Sequence, residues 1–167
     1  MTRIAKVVMV AAALGSALWT SSAAAAEAVY VIRHLQKAAG DDPPLTQEGA
    51  AGANDLADLL ADRGINAVFA TPTRRAIQTA TPLAVRLGLP VTRYDPANPA
   101  ALVEAANAIS GNILIVGHSN TVPDLVAQFG GQRPPPMTEQ DYGQIYVVNI
   151  GTKEMREIVL PTHGKRN

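Results

Sequence analysis

The run Val29-Tyr-Val-Ile-Arg-His34 decides how the rest of the chain is interpreted, because an apolar stretch is followed directly by two basic residues. Short runs rich in β-branched residues are typical of buried strands in a parallel sheet. Two further runs, residues 67–70 and 113–116, have the same character. Each of these runs is followed by a polar turn and then by a helical pattern. Strands that alternate with helices predict an open α/β sheet with right-handed crossovers.

Helical segments are predicted between and after these strands, with recognisable start or stop signals. Thr46 is the expected N-cap of the first helix, and Gly88 follows the last residue of the second. Thr121-Val-Pro-Asp124 has the pattern of a capping box with proline in the first turn. The predicted helices cover residues 46–62, 75–87, 99–109 and 121–130.

The remaining segments predict the edges of the sheet. Residues 91–94 indicate a weaker strand, and residues 145–149 and 154–160, joined across Gly151, indicate a β-hairpin. The expected fold is therefore a three-layer α/β sandwich. Its open sheet is mostly parallel, helices cover both faces, and the C-terminal hairpin lies at the edge.

The first 26 residues predict a secretory signal peptide, because a basic start is followed by an apolar run and then by small residues. The apolar run is interrupted by polar residues and falls short of the about 20 residues that a spanning helix needs. We expect cleavage before Glu27, although a retained anchor is the alternative. The mature protein would be periplasmic or secreted, with one domain over residues 27–161 and a flexible tail over residues 162–167.

The composition argues against several classes of partner. Cleavage would remove two of the 14 basic residues and none of the 14 acidic ones, which leaves a slightly acidic protein. That balance predicts no nucleic-acid partner and no stable membrane insertion after cleavage. The sequence contains no cysteine, so neither disulfides nor lipoprotein processing are expected. The pattern does not indicate an oligomeric state.

Basic and polar residues follow the predicted strands, where an α/β sheet binds its ligands. They are Arg33-His34, residues 71–75 with two arginines, and residues 117–120 with a histidine. Each segment alone is explained as a polar strand end in contact with solvent. Together they offer imidazoles and guanidinium groups, and arginine binds phosphate through paired, charge-assisted hydrogen bonds. The combination predicts a site for a phosphate ester.

These motifs resemble a known family when they are taken in order. Val29-Tyr-Val-Ile-Arg-His34, then Leu45-Thr46 and Gly49, then Arg75-Ala-Ile-Gln-Thr-Ala80 and finally Val116-Gly-His118 are similar to the histidine phosphatase superfamily, the phosphoglycerate-mutase-like proteins. The small size and the Gly-His-Ser-Asn-Thr-Val-Pro run make the chain more similar to compact bacterial phosphatases than to mutases. The resemblance extends from Ala28 to about Gly130.

The resemblance implies roles for particular residues. His34 would be the nucleophile that becomes phosphorylated, and Arg33, Arg75 and His118 would hold the phosphoryl oxygens. The family pattern fits Arg75 rather than the adjacent Arg74. Additional substrate contacts are expected from residues that flank these motifs, namely Thr46, Ser119 and Asn120. No metal and no cofactor is required.

The proton donor for the leaving oxygen is less clearly marked. Asp95 lies in the interval where the wider family often places a carboxylate, so it is the first choice. Glu104 is the second, on a helix where it could simply face water, and Asp124 is the third, because the capping box already explains it. The alternative for each is a solvated surface carboxylate.

The chain departs from the family pattern directly after Arg33-His34. Leu35 and Gln36 stand where Gly or Ala and then Glu are usual. We expect Leu35 to narrow the pocket, and Gln36 removes a negative charge near the phosphate. Asp41 and Asp42 have no histidine nearby and are followed by prolines, which favours a solvated turn over a metal site.

The resemblance implies a metal-independent phosphomonoesterase that acts on a small phosphorylated metabolite or an envelope sugar phosphate. The main alternative is a protein that binds phosphate or a phosphorylated ligand with little or no catalysis. A third hypothesis is a structural envelope protein, which would require that His34, Arg75 and His118 do not meet in space.

Overall fold

A computed structural model describes residues 26–161; most of the predicted signal peptide and the predicted tail lie outside that range. The described part contains helices α1 (Gln47–Leu60), α2 (Arg74–Leu87), α3 (Pro99–Asn107) and α4 (Val122–Gln128). Its strands are β1 (Ala28–Arg33), β2 (Ile65–Ala70), β3 (Val91–Arg93), β4 (Asn112–Gly117), β5 (Gln144–Asn149) and β6 (Met155–Val159).

The strands form one mixed sheet with the order β3-β2-β4-β1-β5-β6. The four strands from β3 to β1 run parallel, whereas β5 is antiparallel to β1 and β6 is antiparallel to β5. Strand β1 lies inside the sheet, so Val29 faces Ile113 on one side and Val148 on the other. The predicted α/β fold with a C-terminal hairpin at the edge is confirmed.

Two apolar clusters cover the two faces of the sheet. Tyr30 and Ile32 of β1 pack with residues of α1 and α2, whereas Val29 and Val31 pack with residues of α3 and α4. This division follows from the alternation of side chains along a strand. Because β1 is apolar on both faces, it is buried between the two helical layers, and its polar residues are confined to its end.

The observed helices begin close to their predicted first residues, but three of them end earlier than predicted. Helices α1, α3 and α4 stop at Leu60, Asn107 and Gln128, each two residues before the predicted end. The last turn of a helix lacks its own backbone acceptors, so its end is the least defined by local sequence.

The predicted capping box at the start of α4 is wrong. Thr121 is the N-cap residue, but its side chain makes no cap hydrogen bond. Its hydroxyl instead accepts from the backbone N–H of His118 at 3.0 Å. Asp124 points elsewhere and pairs with Arg133, whose Nε lies 2.8 Å from the carboxylate. The Thr121 side chain therefore holds the turn that carries His118.

In the described range, residues 26–161, no helix combines the length and hydropathy of a membrane span.

Candidate active site

Neighbouring strands β1 and β4 bring two histidines together. His34 follows β1 and His118 follows β4, and the backbone N–H of His34 donates to the carbonyl of Gly117 at 2.9 Å. The two ring centroids are 5.3 Å apart, with an interplanar angle of 67°. The predicted convergence of these rings, separated by more than 80 positions in the sequence, is therefore present in the fold.

The His34 ring is buried and neutral. Its Nδ1 lies 2.8 Å from the carbonyl oxygen of Leu35, and the side chain is only 2 % exposed. A carbonyl can only accept, so this bond places the ring proton on Nδ1 and leaves a lone pair on Nε2. Burial lowers the pKa of His34 to about 3, and the charges of Arg33 and Arg75 act in the same direction. Near pH 7, Nε2 therefore carries a free lone pair without prior deprotonation of the ring.

The His118 ring is held by a hydroxyl at the end of β2. Its Nε2 lies 2.9 Å from the Oγ1 of Thr71, a fully buried residue, and that oxygen is 3.3 Å from the Oγ1 of Thr73. Burial lowers the pKa of His118 to about 4, and nearby Arg75 and Arg33 add to the effect. In this state His118 is neutral at pH 7. A bound phosphate dianion would raise that pKa, because it favours the charged ring.

Arg75 enters the site from the first turn of α2. Its positive charge acts on both histidines, whereas the side chain of neighbouring Arg74 is exposed. Arg75 NH1 lies 3.6 Å from the Oδ1 of Asp42, and the same oxygen accepts from the backbone N–H of Arg74 at 2.9 Å. The Nε of Arg75 is buried and has no hydrogen-bond partner in the described part of the chain.

Arg33 is the most deeply buried cation of the site. It is bound by residues 138–142, the 138–142 loop. Its NH1 donates to the carbonyls of Thr138 at 2.7 Å and Asp141 at 3.1 Å. Its NH2 pairs with the carboxylate of Glu139 at 3.1 Å, and its guanidinium lies 4.2 Å from the ring centroid of Tyr142. Within the described range only Nε lacks a partner. Arg33 therefore anchors this loop and offers one N–H to a ligand.

Three of the predicted substrate-binding residues have other surroundings. Thr46 caps α1, where its hydroxyl accepts from the N–H of Gly49 at 3.1 Å. Ser119 is half-buried in the turn after β4, beside His118. Asn120 is exposed and lines a cavity together with Tyr94. Their roles toward a substrate stay predictions.

The predicted proton donors likewise make contacts outside the histidine pair. Asp95 is exposed, and its Oδ1 accepts from the N–H of Ala97 at 2.9 Å within its own turn. Glu104 is exposed on α3. Asp124 pairs with Arg133, as described above.

Leu35 does not narrow the pocket, contrary to the expectation from its size. Its side chain is fully buried in the cluster under α1 and α2. Its backbone N–H donates to the Oγ1 of Thr79 at 3.0 Å, and that hydroxyl donates to the carbonyl of Arg75 at 2.8 Å. One buried hydroxyl thus joins the segment after His34 to the helix turn that presents Arg75.

Gly49 and Gln78 hold the other end of the segment that follows His34. A Cβ on Gly49 would lie 2.2 Å from the carbonyl oxygen of Gln36, so only glycine allows α1 to approach that backbone. The side-chain oxygen of Gln78 accepts from the N–H of Leu45 at 2.8 Å. The Gly and Gln positions of the motifs are therefore explained by packing and backbone hydrogen bonds.

Sequence reasoning missed Thr71, the contact of Asp42 with Arg75, and the 138–142 loop. The signal for Thr71 was its position directly after β2, at the same sheet edge as Arg33. Nothing local marks the 138–142 loop, because its contacts join positions more than 100 residues apart.

Part of the chain is similar to a known family and to a known protein. Residues 29–96 match the model of the histidine phosphatase superfamily (branch 1). The match includes His34 and Arg75 and ends before His118. An uncharacterized protein of Mycobacterium tuberculosis, Rv0525, is 48 % identical over 67 residues, which cover 40 % of this chain and 31 % of that protein. The alignment thus spans less than a third of the relative.

Solved structures share the fold across the domain. The protein histidine phosphatase SixA complexed with tungstate superimposes with a TM-score of 0.60 at 23 % identity, over 78 % of this chain and 94 % of that one. A mycobacterial glucosyl-3-phosphoglycerate phosphatase with inorganic phosphate gives a TM-score of 0.60 at 16 % identity, over 80 % and 96 % of the two chains. The described domain therefore has the fold of these phosphatases, and residues 29–96 resemble the histidine phosphatase superfamily (branch 1).

Proposed function

We propose that the protein is a metal-independent phosphomonoesterase that works through a phosphohistidine on His34. One observation carries this proposal: the lone pair on Nε2 of His34 lies beside the ring of His118 and near the charges of Arg33 and Arg75, and the buried Nε of each arginine is unpartnered within the described residues. An unsatisfied buried N–H costs about 1–3 kcal/mol, so such groups in a native protein usually bind water, an ion or a ligand. Phosphoryl oxygens are suitable acceptors for both.

The charges of the site favour an anion of limited charge. Arg33 is paired with Glu139 at 3.1 Å, and Arg75 lies 3.6 Å from Asp42. Both histidines are neutral at pH 7. The positive and negative charges of these two ion pairs therefore nearly cancel, and the net charge of the site is close to zero. Binding a phosphate dianion then depends on directed N–H groups rather than on a large excess of positive charge, and protonation of His118 would add one more cation.

The chemistry follows from the same atoms. Nε2 of His34 attacks phosphorus and forms an N–P bond, while the bond from phosphorus to the leaving oxygen breaks and that oxygen takes up a proton. Water then displaces the imidazole, which recovers its lone pair. Arg33, Arg75 and His118 donate to the oxygens on which charge is redistributed during each transfer. None of these steps needs a group from outside the chain except water.

The names of the structural relatives fit this class of reaction, since one is a protein histidine phosphatase and another a glucosyl-3-phosphoglycerate phosphatase. For this chain we infer a small phosphorylated metabolite or an envelope sugar phosphate as substrate. A phosphorylated protein fits less well with the proposed export of the chain.

The test is hydrolysis of a chromogenic phosphomonoester by the purified protein. His34→Ala should abolish turnover. Arg75→Ala should lower kcat/KM by about 10²–10³-fold, as expected when a donor to the transition state is lost. Arg74→Ala is the matched control, because it removes an identical charge one position away, and it should change kcat/KM by less than about threefold. Equal losses in the two arginine variants would contradict the site.

Binding of a phosphorylated ligand without catalysis is the second candidate function. It is favoured by Asp95, the first-choice proton donor, which is engaged in its own turn. Calorimetric binding of inorganic phosphate, lost in Arg75→Ala, together with the absence of turnover on any phosphomonoester, would support this candidate over the enzyme.

We also propose that residues 1–26 direct export and are removed. Support comes from the order of basic, apolar and small residues. Ala26 is buried in the cluster under α3 and α4, so cleavage before Glu27 would take one small side chain from that core. Fractionation of cells producing the full chain, followed by N-terminal sequencing, tests this: a cytoplasmic protein that retains Met1 would contradict it.

A further inference from the structure

Transfer of a phosphoryl group from an alkyl ester requires a proton for the departing oxygen, and this inference rests on the proposed phosphatase activity. Asp95 and Asp124 are engaged with Ala97 and Arg133. Asp42 and Glu139 do reach the site, but each lies against a guanidinium, at 3.6 and 3.1 Å. Each of these two carboxylates thus already has an arginine as its partner.

We propose that Tyr142 is the proton donor to the leaving group. The 138–142 loop places its ring centroid 6.1 Å from that of His34, with the planes tilted by 56°. Its hydroxyl oxygen lies 3.4 Å from NH2 of Arg33. Tyr142 is thus the phenol that borders the nucleophile, and tyrosine is among the side chains that serve as general acids.

The contact with Arg33 prepares the phenol for this role in two ways. A guanidinium has only donors, so Arg33 NH2 donates to the Tyr142 oxygen and leaves the phenolic hydrogen for another acceptor. The same guanidinium lies 4.2 Å from the ring centroid and would stabilise the phenolate that forms when the proton is given away.

The proton balance closes over the two half-reactions. As Nε2 of His34 bonds to phosphorus, the electron pair of the breaking P–O bond stays on the leaving oxygen, which takes the phenolic proton of Tyr142. The phenolate then accepts a proton from the water that attacks the phosphohistidine. The N–P pair returns to Nε2, phosphate departs, and both side chains are restored.

The experiment compares two esters that differ in their need for a proton. p-Nitrophenyl phosphate releases a stable phenolate, whereas glycerol phosphate releases an alkoxide that must be protonated. Tyr142→Phe, which removes only the hydroxyl, should lower kcat for glycerol phosphate by about 10²–10⁴-fold. For p-nitrophenyl phosphate the loss should stay below about tenfold. Tyr146→Phe is the control, because that tyrosine lies on β5 outside the histidine pair, and it should preserve the ratio between the two esters.

Each other outcome overturns the proposal in a recognisable way. Equal losses on both esters would mean that Tyr142 only positions the loop. A loss confined to glycerol phosphate in Glu139→Gln, with Tyr142→Phe unaffected, would assign the proton to Glu139. If the wild-type protein hydrolyses neither ester, the proposed function itself fails, and that result is distinguishable because it requires no variant. Circular dichroism melts establish that each variant is folded.

Discussion

At the scale of single residues, the orientation of His118 depends on one buried hydroxyl. Thr71 is fully buried, and its Oγ1 is the group 2.9 Å from Nε2 of His118. A ring nitrogen that is tied to a fixed partner keeps one tautomer and one direction. The ring of His118, which follows β4, is therefore held in place by a residue that follows the neighbouring strand β2.

Thr71→Val keeps the shape of the side chain and removes this hydrogen bond. We expect kcat/KM to fall by about tenfold, since a lost bond of about 1.4 kcal/mol in the transition state corresponds to one factor of ten. Thr71→Ser should restore activity, whereas Thr73→Val, one hydroxyl further away, should have a smaller effect. Steady-state kinetics and nitrogen-15 NMR of the His118 ring provide the measurement. An unchanged tautomer in Thr71→Val would contradict this role.

At the scale of secondary structure elements, α2 is tied to the end of β1 by Thr79. This buried hydroxyl donates to the carbonyl of Arg75 and accepts from the N–H of Leu35. The first contact lies within the helix and the second crosses to the segment after His34. The spacing between Arg75 and His34 is therefore set by a side chain that touches neither the substrate nor the imidazoles.

Thr79→Val should lower the free energy of unfolding by about 1–3 kcal/mol, because it leaves the buried N–H of Leu35 without an acceptor. Thr81 offers a matched control on the same helix. Its hydroxyl also donates to the carbonyl four residues earlier, at 2.7 Å, but it is on the exposed side. Thr81→Val should change stability by less than about 0.5 kcal/mol. Urea unfolding followed by circular dichroism measures both, and equal effects would show that the cross-link contributes nothing.

The elements were largely predictable because each carries a strong local signal. The apolar run of β1 and the capping position of Thr46 are examples, and both agree with the structure. Local sequence patterns gave wrong predictions where a side chain makes a contact outside the local element that the pattern describes. Thr121 resembles an N-cap residue, yet its hydroxyl bonds to the turn of His118. Leu35 was expected to line the pocket, yet the fold turns it into the core.

The site was predictable where its residues end strands and unpredictable where distant loops return to it. His34 and His118 follow adjacent parallel strands, so topology alone brings them together. The 138–142 loop reaches Arg33 through backbone carbonyls, a carboxylate and an aromatic ring, and carbonyls carry no sequence signature. The resemblance to a family supplied the arginine and histidine roles and gave no indication of this loop.

At the scale of the whole molecule, burial of two neutral histidines links folding to pH. The unfolded chain has ordinary histidines with a pKa near 6.5, whereas the folded pKa values are about 3 for His34 and about 4 for His118. Between the folded and the unfolded pKa values, the unfolded state binds more protons than the folded state does. The free energy of unfolding therefore falls as the pH falls. The contribution is fully present above the unfolded value and is lost progressively toward pH 4.

We expect the free energy of unfolding to decrease between pH 6.5 and 4 by at most about 1.4 kcal/mol per pH unit for each histidine. Urea unfolding at several pH values measures this slope. The double variant His34→Asn with His118→Asn retains the titration of the carboxylates and serves as the control, so its slope should be shallower. Parallel curves for the two proteins would show that the imidazoles do not resist protonation in the fold.

The central position of β1 has a consequence for the order in which the protein can assemble during synthesis. The strand that ends in Arg33 and His34 leaves the ribosome first, but its neighbours are β4 and β5, where Val29 meets Ile113 and Val148. Loop closure over such separations is slow, and no partial chain that lacks the C-terminal hairpin can complete the sheet around that strand. The nascent polypeptide thus cannot bring His34 and His118 together, or complete the sheet around them, until β4 and the C-terminal hairpin have been synthesised.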